Sequence, residues 1–273
     1  MKKTNILIIK KAIAVAALSA LGIVANAQKL PAVQNTGLYA PADVKIDGKP
    51  TEWKQFQAYN KTTHIYYTIA NDANNLYLIV QATEIPDVQK IIAGGITLTV
   101  KSTDKNSTAV PLAIGFPRMY AKDFVPINAK IKNEQTDMDA ELPGLNKQFT
   151  ENAKFIQVAG IKEVTDSVIS VYNEQGIKAV SLLDTKKTYT YELAIPLKYV
   201  LQAINDNNII AYNIKLNGRL NALKMPAPAA GATNVMKVVV VGGYGTPDPA
   251  AIAAMHDLNE PTDFSGTYIM AKK

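Results

Sequence analysis

The chain has 273 residues, with 29 Lys and Arg against 23 Asp and Glu, and no cysteine. That length suits one large domain or at most two. The missing thiol excludes disulfides, thiolate metal sites, a cysteine nucleophile and an acylated lipoprotein anchor, so an exported chain of this kind must rely on its core.

Residues 1–27 have the order of a secretory signal peptide. Lys2, Lys3, Lys10 and Lys11 are basic, Ala12 to Val24 is apolar, and Ala25-Asn26-Ala27 is a small-x-small cleavage site before Gln28. The apolar run is shorter than the roughly 20 residues that span a bilayer. The expectation is a periplasmic or extracellular protein, residues 28–273, with no transmembrane segment after signal cleavage. Without the signal's four lysines the formal charge falls from +6 to +2. No Lys/Arg cluster with interleaved aromatics remains, so nucleic acid is not an expected partner.

"KIDGKPTEWKQF", Lys45 to Phe56, contains the only tryptophan, Trp53. It is either a core plug or a flat platform for a sugar ring. A large aromatic at the start of an element favours the plug. "THIYYTI" then alternates: Ile65, Tyr67 and Ile69 take one face, His64, Tyr66 and Thr68 the other. An Asn/Asp turn follows, and "LYLIVQATE" sends Leu76, Leu78 and Val80 inward, which makes a hairpin.

The same alternation recurs in "ITLTV", "AVPLAIGF", "SVISVYN", "GIKAVSLLD", "TYTYELAI" and "IIAYNIKL". "SVISVYN" and "GIKAVSLLD" bracket a Glu-Gln-Gly turn. "VMKVVVVGGYG" reads as a buried strand and "GTYIMAKK" as the last one. Lys122 to Lys154 is polar and weakly periodic, a long excursion with room for a helical turn. "KMPAPAAGATN" reads as a loop. "PLKYVLQAI" has helical spacing, with Pro196 suited to a first turn, and "PDPAAIAAMHDL" suits another short helix. The expected fold is all-β: an antiparallel β-sandwich with a few short helices and long loops.

Catalytic signatures are sparse. His64 and His256 lie far apart, and neither has a partner at metal-ligand spacing. There is no Gly-x-Ser-x-Gly elbow, and "GGYGTP" lacks the lysine of a phosphate-binding loop. Asp137, Asp139 and Glu141 cluster in the long excursion. Two carboxylates set by the fold would suffice for a glycosidase, but nothing in the sequence splits their pKa values. Oxygen-rich "DANN" and "NDNN" turns, like that cluster, are compatible with Ca²⁺. No cofactor is otherwise indicated.

"KIDGKPTEW" followed by "NDANNLYLIVQAT", the later "YELAIPLKYV" and then "IIAYNIKLNG" resemble carbohydrate-binding module family 9-like domains, which are related to DOMON-type domains. The resemblance covers most of Val44 to Lys273. It implies a β-sandwich and, for Asp47, Gly48, Trp53, Tyr77, Glu192 and Pro196, structural positions. Sugar binding in the family depends on a pair of tryptophans, and this chain has one. A tyrosine platform is the substitute, with Tyr120 and Tyr244, both beside loops, the chosen ligand contacts. The chain therefore reads as a non-catalytic binding module for carbohydrate or a cell-surface glycan. A glycoside hydrolase is the alternative, and an envelope scaffold with no small ligand a third.

Overall fold

The period of two sets the architecture. In the computed structural model, which describes residues 29–219 and 256–273, the alternating segments form two antiparallel sheets. The chain runs through β1 (Ala58–Asn60), β2 (Ile65–Asn71), β3 (Asn75–Ala82), α1 (Ile85–Gly94), β4 (Ile96–Ser102) and β5 (Leu112–Arg118). It continues through α2 (Ala121–Lys132), α3 (Met138–Asn152), β6 (Phe155–Ala159), β7 (Val168–Ser170), β8 (Lys178–Leu183) and β9 (Tyr189–Pro196). The described part ends with β10 (Ile209–Leu216) and β11 (Thr262–Ile269).

One sheet has the order β1-β2-β3-β9-β8 and the other β11-β10-β4-β5-β6-β7. Contacts gather Pro31–Lys273 into one unit. Its main core lies between the sheets. Ile65, Tyr67 and Ile69 of β2, Tyr189, Tyr191 and Leu193 of β9, and Tyr212 and Ile214 of β10 are all buried there. A hydrogen bond of 2.9 Å between the hydroxyls of Tyr67 and Tyr212 crosses from sheet to sheet, and Gln34 ties in by donating its backbone N–H to Tyr67. Tyrosine suits positions 67 and 212 because the ring fills the core while the hydroxyl finds a partner.

A second, smaller core covers the outer face of the five-stranded sheet. Leu38, Val44, Ile46 and Phe56, from the segment before β1, pack over Trp53, Tyr77, Ile79 and Ala194. This explains why β3 and β9 are buried on both faces although β10 alternates cleanly.

Several expectations are corrected. The excursion Lys122 to Lys154 is two helices, not a loop with a turn. Phe124, Ile127 and Ile131 of α2 and Met138, Leu145 and Phe149 of α3 recur at helical spacing and are buried. Their remaining positions are mostly polar, and each helix contains a proline, Pro126 or Pro143, which masks the signal. "PLKYVLQAI" forms two short 3-10 turns, Leu197–Tyr199 and Leu201–Ala203, closed by bonds from Val200 N–H to Leu197 O and from Ala203 N–H to Val200 O. β7 and β8 do not pair: β7 edges one sheet and β8 the other, so the chain crosses the sandwich between them. His64 is not a strand residue but sits at φ 49° in the turn before β2. The last strand begins at Thr262, earlier than expected. The expected strand at 235–245, the loop at 224–234 and most of the expected helix at 247–258 lie outside the described residues. Among those residues, no helix is long and apolar enough to cross a membrane.

The Asp47-Gly48 turn sits against β8 and β9. Both backbone N–H groups donate to Glu192 Oε2, at 2.9 and 2.8 Å. Gly48 has φ 82°, and a Cβ there would lie 2.7 Å from Leu182 Cγ. Gly48→Ala is expected to cost about 1–3 kcal/mol through backbone strain and that contact, read as a lower midpoint in chemical denaturation.

Candidate functional site

The outer face of the six-stranded sheet holds a hollow of about 360 Å³. Strand alternation builds it. Where Leu98, Ile114, Val158 and Ile214 point into the core, their neighbours Thr97 and Thr99, Ala113 and Gly115, Gln157 and Ala159, and Lys215 point outward. The central strand carries the smallest side chains. A Cβ on Gly115 would come within 3.2 Å of Thr97 Oγ1 and 3.4 Å of Gln157 Cβ, so glycine keeps the floor low. Longer side chains on either side form walls.

The β5–β6 register shifts between Gly115 and Arg118. A bulge of this kind re-aims a side chain, and Arg118 lines one end of the hollow. Burial lowers the Arg118 guanidinium from its ordinary value, opposed by the neighbouring Tyr120 phenol. At the other end, Asn217 is locked to Thr97 by side-chain bonds of 2.9 and 3.1 Å and donates to Gly94 O at 3.0 Å. Lys215 lines the hollow from β10, the strand that leads into Asn217. Neither Arg118 nor Lys215 has an ion-pair partner among the described residues, where the ion pairs are His64–Asp87, Lys90–Asp257 and Lys130–Glu141. Among the described residues no carboxylate lines the hollow, although Asp263 of β11 stands across the ladder from Lys215. The arrangement presents two cations and several hydrogen-bonding groups over a floor of small side chains, the chemistry for holding a polar anion.

Tyr120 is half-buried at the N-cap of α2, in the connection that follows β5, and it stands near Arg118 without lining the hollow. Tyr244 lies outside the described residues. Trp53 is 8% exposed and packs against Tyr77, ring centroids 6.2 Å apart. Tyr77 donates its hydroxyl to Asp72 Oδ2 at 2.8 Å, and burial pushes it up to about 12. Glu192 lies in the middle of β9 rather than at its end, and Pro196 closes the strand. Burial raises the Glu192 carboxyl to about 7 against the two backbone bonds from Gly48 and Asp47. Its Oε1 has no hydrogen-bond partner among the described residues. Trp53, Tyr77 and Glu192 belong to the covered face of the five-stranded sheet, away from the hollow on the six-stranded one.

The candidate acids have other roles. Asp137 caps α3 by accepting from Ala140 N–H at 3.3 Å, Glu141 pairs with Lys130 at 2.6 Å, and Asp139 is exposed in the first turn of α3. The turn oxygens are used locally. Asp72 Oδ1 accepts from the N–H groups of Asn74 and Asn75 at 2.7 Å, and Asn205 Oδ1 accepts from Asn207 and Ile209. His64 bonds Asp87 at 3.2 Å, and burial raises that carboxyl although His64 opposes the shift. Among the described residues no three His, Asp or Glu side chains converge as a metal site.

The hollow's residues include neither the aromatics nor the acids that mark a sugar site in a sequence. A signal was present: the outward positions of "ITLTV", "AIGFPR", "FIQVA" and "NIKLN" carry Thr, Gly, Arg, Gln, Lys and Asn, and a glycine inside a strand marks a close backbone approach. No protein-family model and no curated protein sequence matches the chain.

Proposed function

We propose that the protein is an exported, non-catalytic module that binds carbohydrate, and that the ligand is an acidic sugar chain seated in the hollow of the six-stranded sheet. One observation carries this reading: Arg118 and Lys215 face a cavity of about 360 Å³ that no carboxylate among the described residues lines. Charge-assisted bonds from a guanidinium and an ammonium to a uronate carboxylate supply the affinity that a stacked tryptophan supplies elsewhere. The threonines and Gln157 suit sugar hydroxyls, and the low floor at Gly115 leaves room for a ring. Hydrolysis would need two carboxylates at the bond to be cut, and Asp137, Asp139 and Glu141 stand elsewhere.

Affinity electrophoresis in polygalacturonate and in a neutral glucan tests the reading. The uronate polymer is expected to retard the protein, less so as salt rises. Arg118→Ala and Lys215→Ala should each weaken binding about tenfold or more, since a hydrogen bond to a charged group contributes about 1.5–3 kcal/mol. Equal retardation by the neutral polymer would remove the acidic-sugar reading. Release of reducing ends from either polymer would make the protein a hydrolase.

A further inference from the structure

β8 is the edge strand of the five-stranded sheet, and its free edge is closed at two points by side-chain amides. Leu183 donates its N–H to Asn146 Oδ1 at 2.9 Å, and its C=O accepts from Asn146 Nδ2 at 2.9 Å. Six residues earlier, at the approach to the strand, Ile177 donates to Asn173 Oδ1 at 3.1 Å and accepts from Asn173 Nδ2 at 2.8 Å. Each asparagine takes the place of a strand partner for one residue. Backbone groups on one edge of a strand recur at every second residue. Ala179 and Ser181, between the two asparagines, therefore turn their N–H and C=O groups to the same edge. No partner receives these groups among the described residues.

A second cavity, of about 340 Å³, opens at this gap. Phe116, Phe149 and Ala153 give it apolar walls, and Tyr172, 82% exposed, stands on its rim beside Lys178. The Ser181 side chain lines it, buried beside the Tyr189 hydroxyl. An unpaired strand edge beside a side-chain pocket is the pattern that takes an added strand. The two asparagines limit what can be added. Antiparallel pairing of β8 with its copy in a second molecule, centred on Val180, would set residue 177 opposite residue 183 and place both asparagine amides in one space. A long strand meets the same obstruction.

We infer that this gap binds the carboxy-terminal end of an extended apolar peptide, about three residues long, antiparallel to β8. Two of its residues exchange backbone bonds with Ser181 and Ala179. Side chains on the inner side enter the cavity between Phe116 and Phe149, because residues paired across a ladder share a face. The antiparallel direction brings the terminal carboxylate to the Lys178 end of the gap, which supplies the charge to meet it. The site shares no residue with the acidic-sugar hollow and does not depend on that reading.

The test is an NMR titration of the whole protein with acetyl-Ala-Val-Leu as the free acid and as its carboxamide. The free acid is expected to bind with a dissociation constant on the order of 0.1–1 mM and to shift the Ala179 and Ser181 amide protons. The carboxamide should bind about tenfold more weakly, and Lys178→Gln should erase that difference. Tyr172→Ala, at an exposed position, should weaken both ligands, whereas Arg118→Ala should leave both unchanged. Unmoved Ala179 and Ser181 amides at 10 mM peptide, roughly ten times the weakest expected constant, would overturn the proposal. So would equal affinity for acid and carboxamide, or concentration-dependent shifts of the same amides without peptide, which would assign the edge to a second copy of this chain.

Discussion

Replacing Trp53 by alanine is expected to lower the stability of the protein by about 3–5 kcal/mol, the range for large aromatics removed from cores. The ring lies between Tyr77 and the segment that covers the outer face of the five-stranded sheet, and it belongs to a cluster with Ala70, Ile79 and Ala194. Its small neighbours cannot close the space that the indole would leave. Trp53→Phe should cost much less, because phenylalanine fills most of that volume and has no Nε1, which lacks a hydrogen-bond partner here. Chemical denaturation of both variants, with uronate binding measured alongside, checks the role. Unchanged stability with lost binding in Trp53→Ala would make the ring a ligand platform.

Glu192 should make stability fall as pH rises. Its carboxyl is raised from an ordinary 4.5 to about 7, first by burial and then by the nearby charges of Asp47 and Glu52. A raised carboxyl means that the folded state holds the proton more tightly than the unfolded chain does. The contribution is therefore fully present below pH 4.5 and is lost as pH climbs through about 7. The expected loss between pH 4 and pH 8 is on the order of 3 kcal/mol. Glu192→Gln keeps an oxygen to accept from the Asp47 and Gly48 N–H groups and cannot ionise, so it should flatten this pH dependence and be the more stable protein at pH 8. Glu192→Ala should be destabilised at every pH, because it leaves the turn's two N–H donors without their acceptor, at about 1–3 kcal/mol for a buried donor. Denaturation midpoints at pH 5 and 8 decide the matter: an unaltered slope in Glu192→Gln would place the pH dependence in another group.

The two prominent acid-bearing stretches of the sequence have opposite outcomes in the fold. Asp137, Asp139 and Glu141 are conspicuous as a cluster, yet helix α3 spends them on a cap, a first turn and a surface ion pair. Glu192 is a single acid in "TYTYELAI", yet it is buried and holds the Asp47-Gly48 turn from 144 and 145 residues away. Neighbourhood in the chain made the first visible. Only folding made the second important.

Alternation of side chains was readable because a strand with one face in the core repeats every two residues. That local rule placed Ile65, Tyr67 and Ile69, and likewise Ile210, Tyr212 and Ile214, on inner faces, and from such strands followed the β-sandwich. It could not assign strands to sheets, because pairing joins segments far apart in the chain: "SVISVYN" and "GIKAVSLLD" look like one hairpin and lie in different sheets. It also missed α2 and α3, whose buried stripes are narrow. The hollow was hidden for the same reason as the pairing. Thr97, Gly115, Arg118, Gln157 and Lys215 come from four strands, and each alone is an ordinary solvent-facing residue. Local sequence determined which side chains face outward; the order of strands in the sheet decided which of them meet, since their approach depends on hydrogen bonds between segments that no local pattern records.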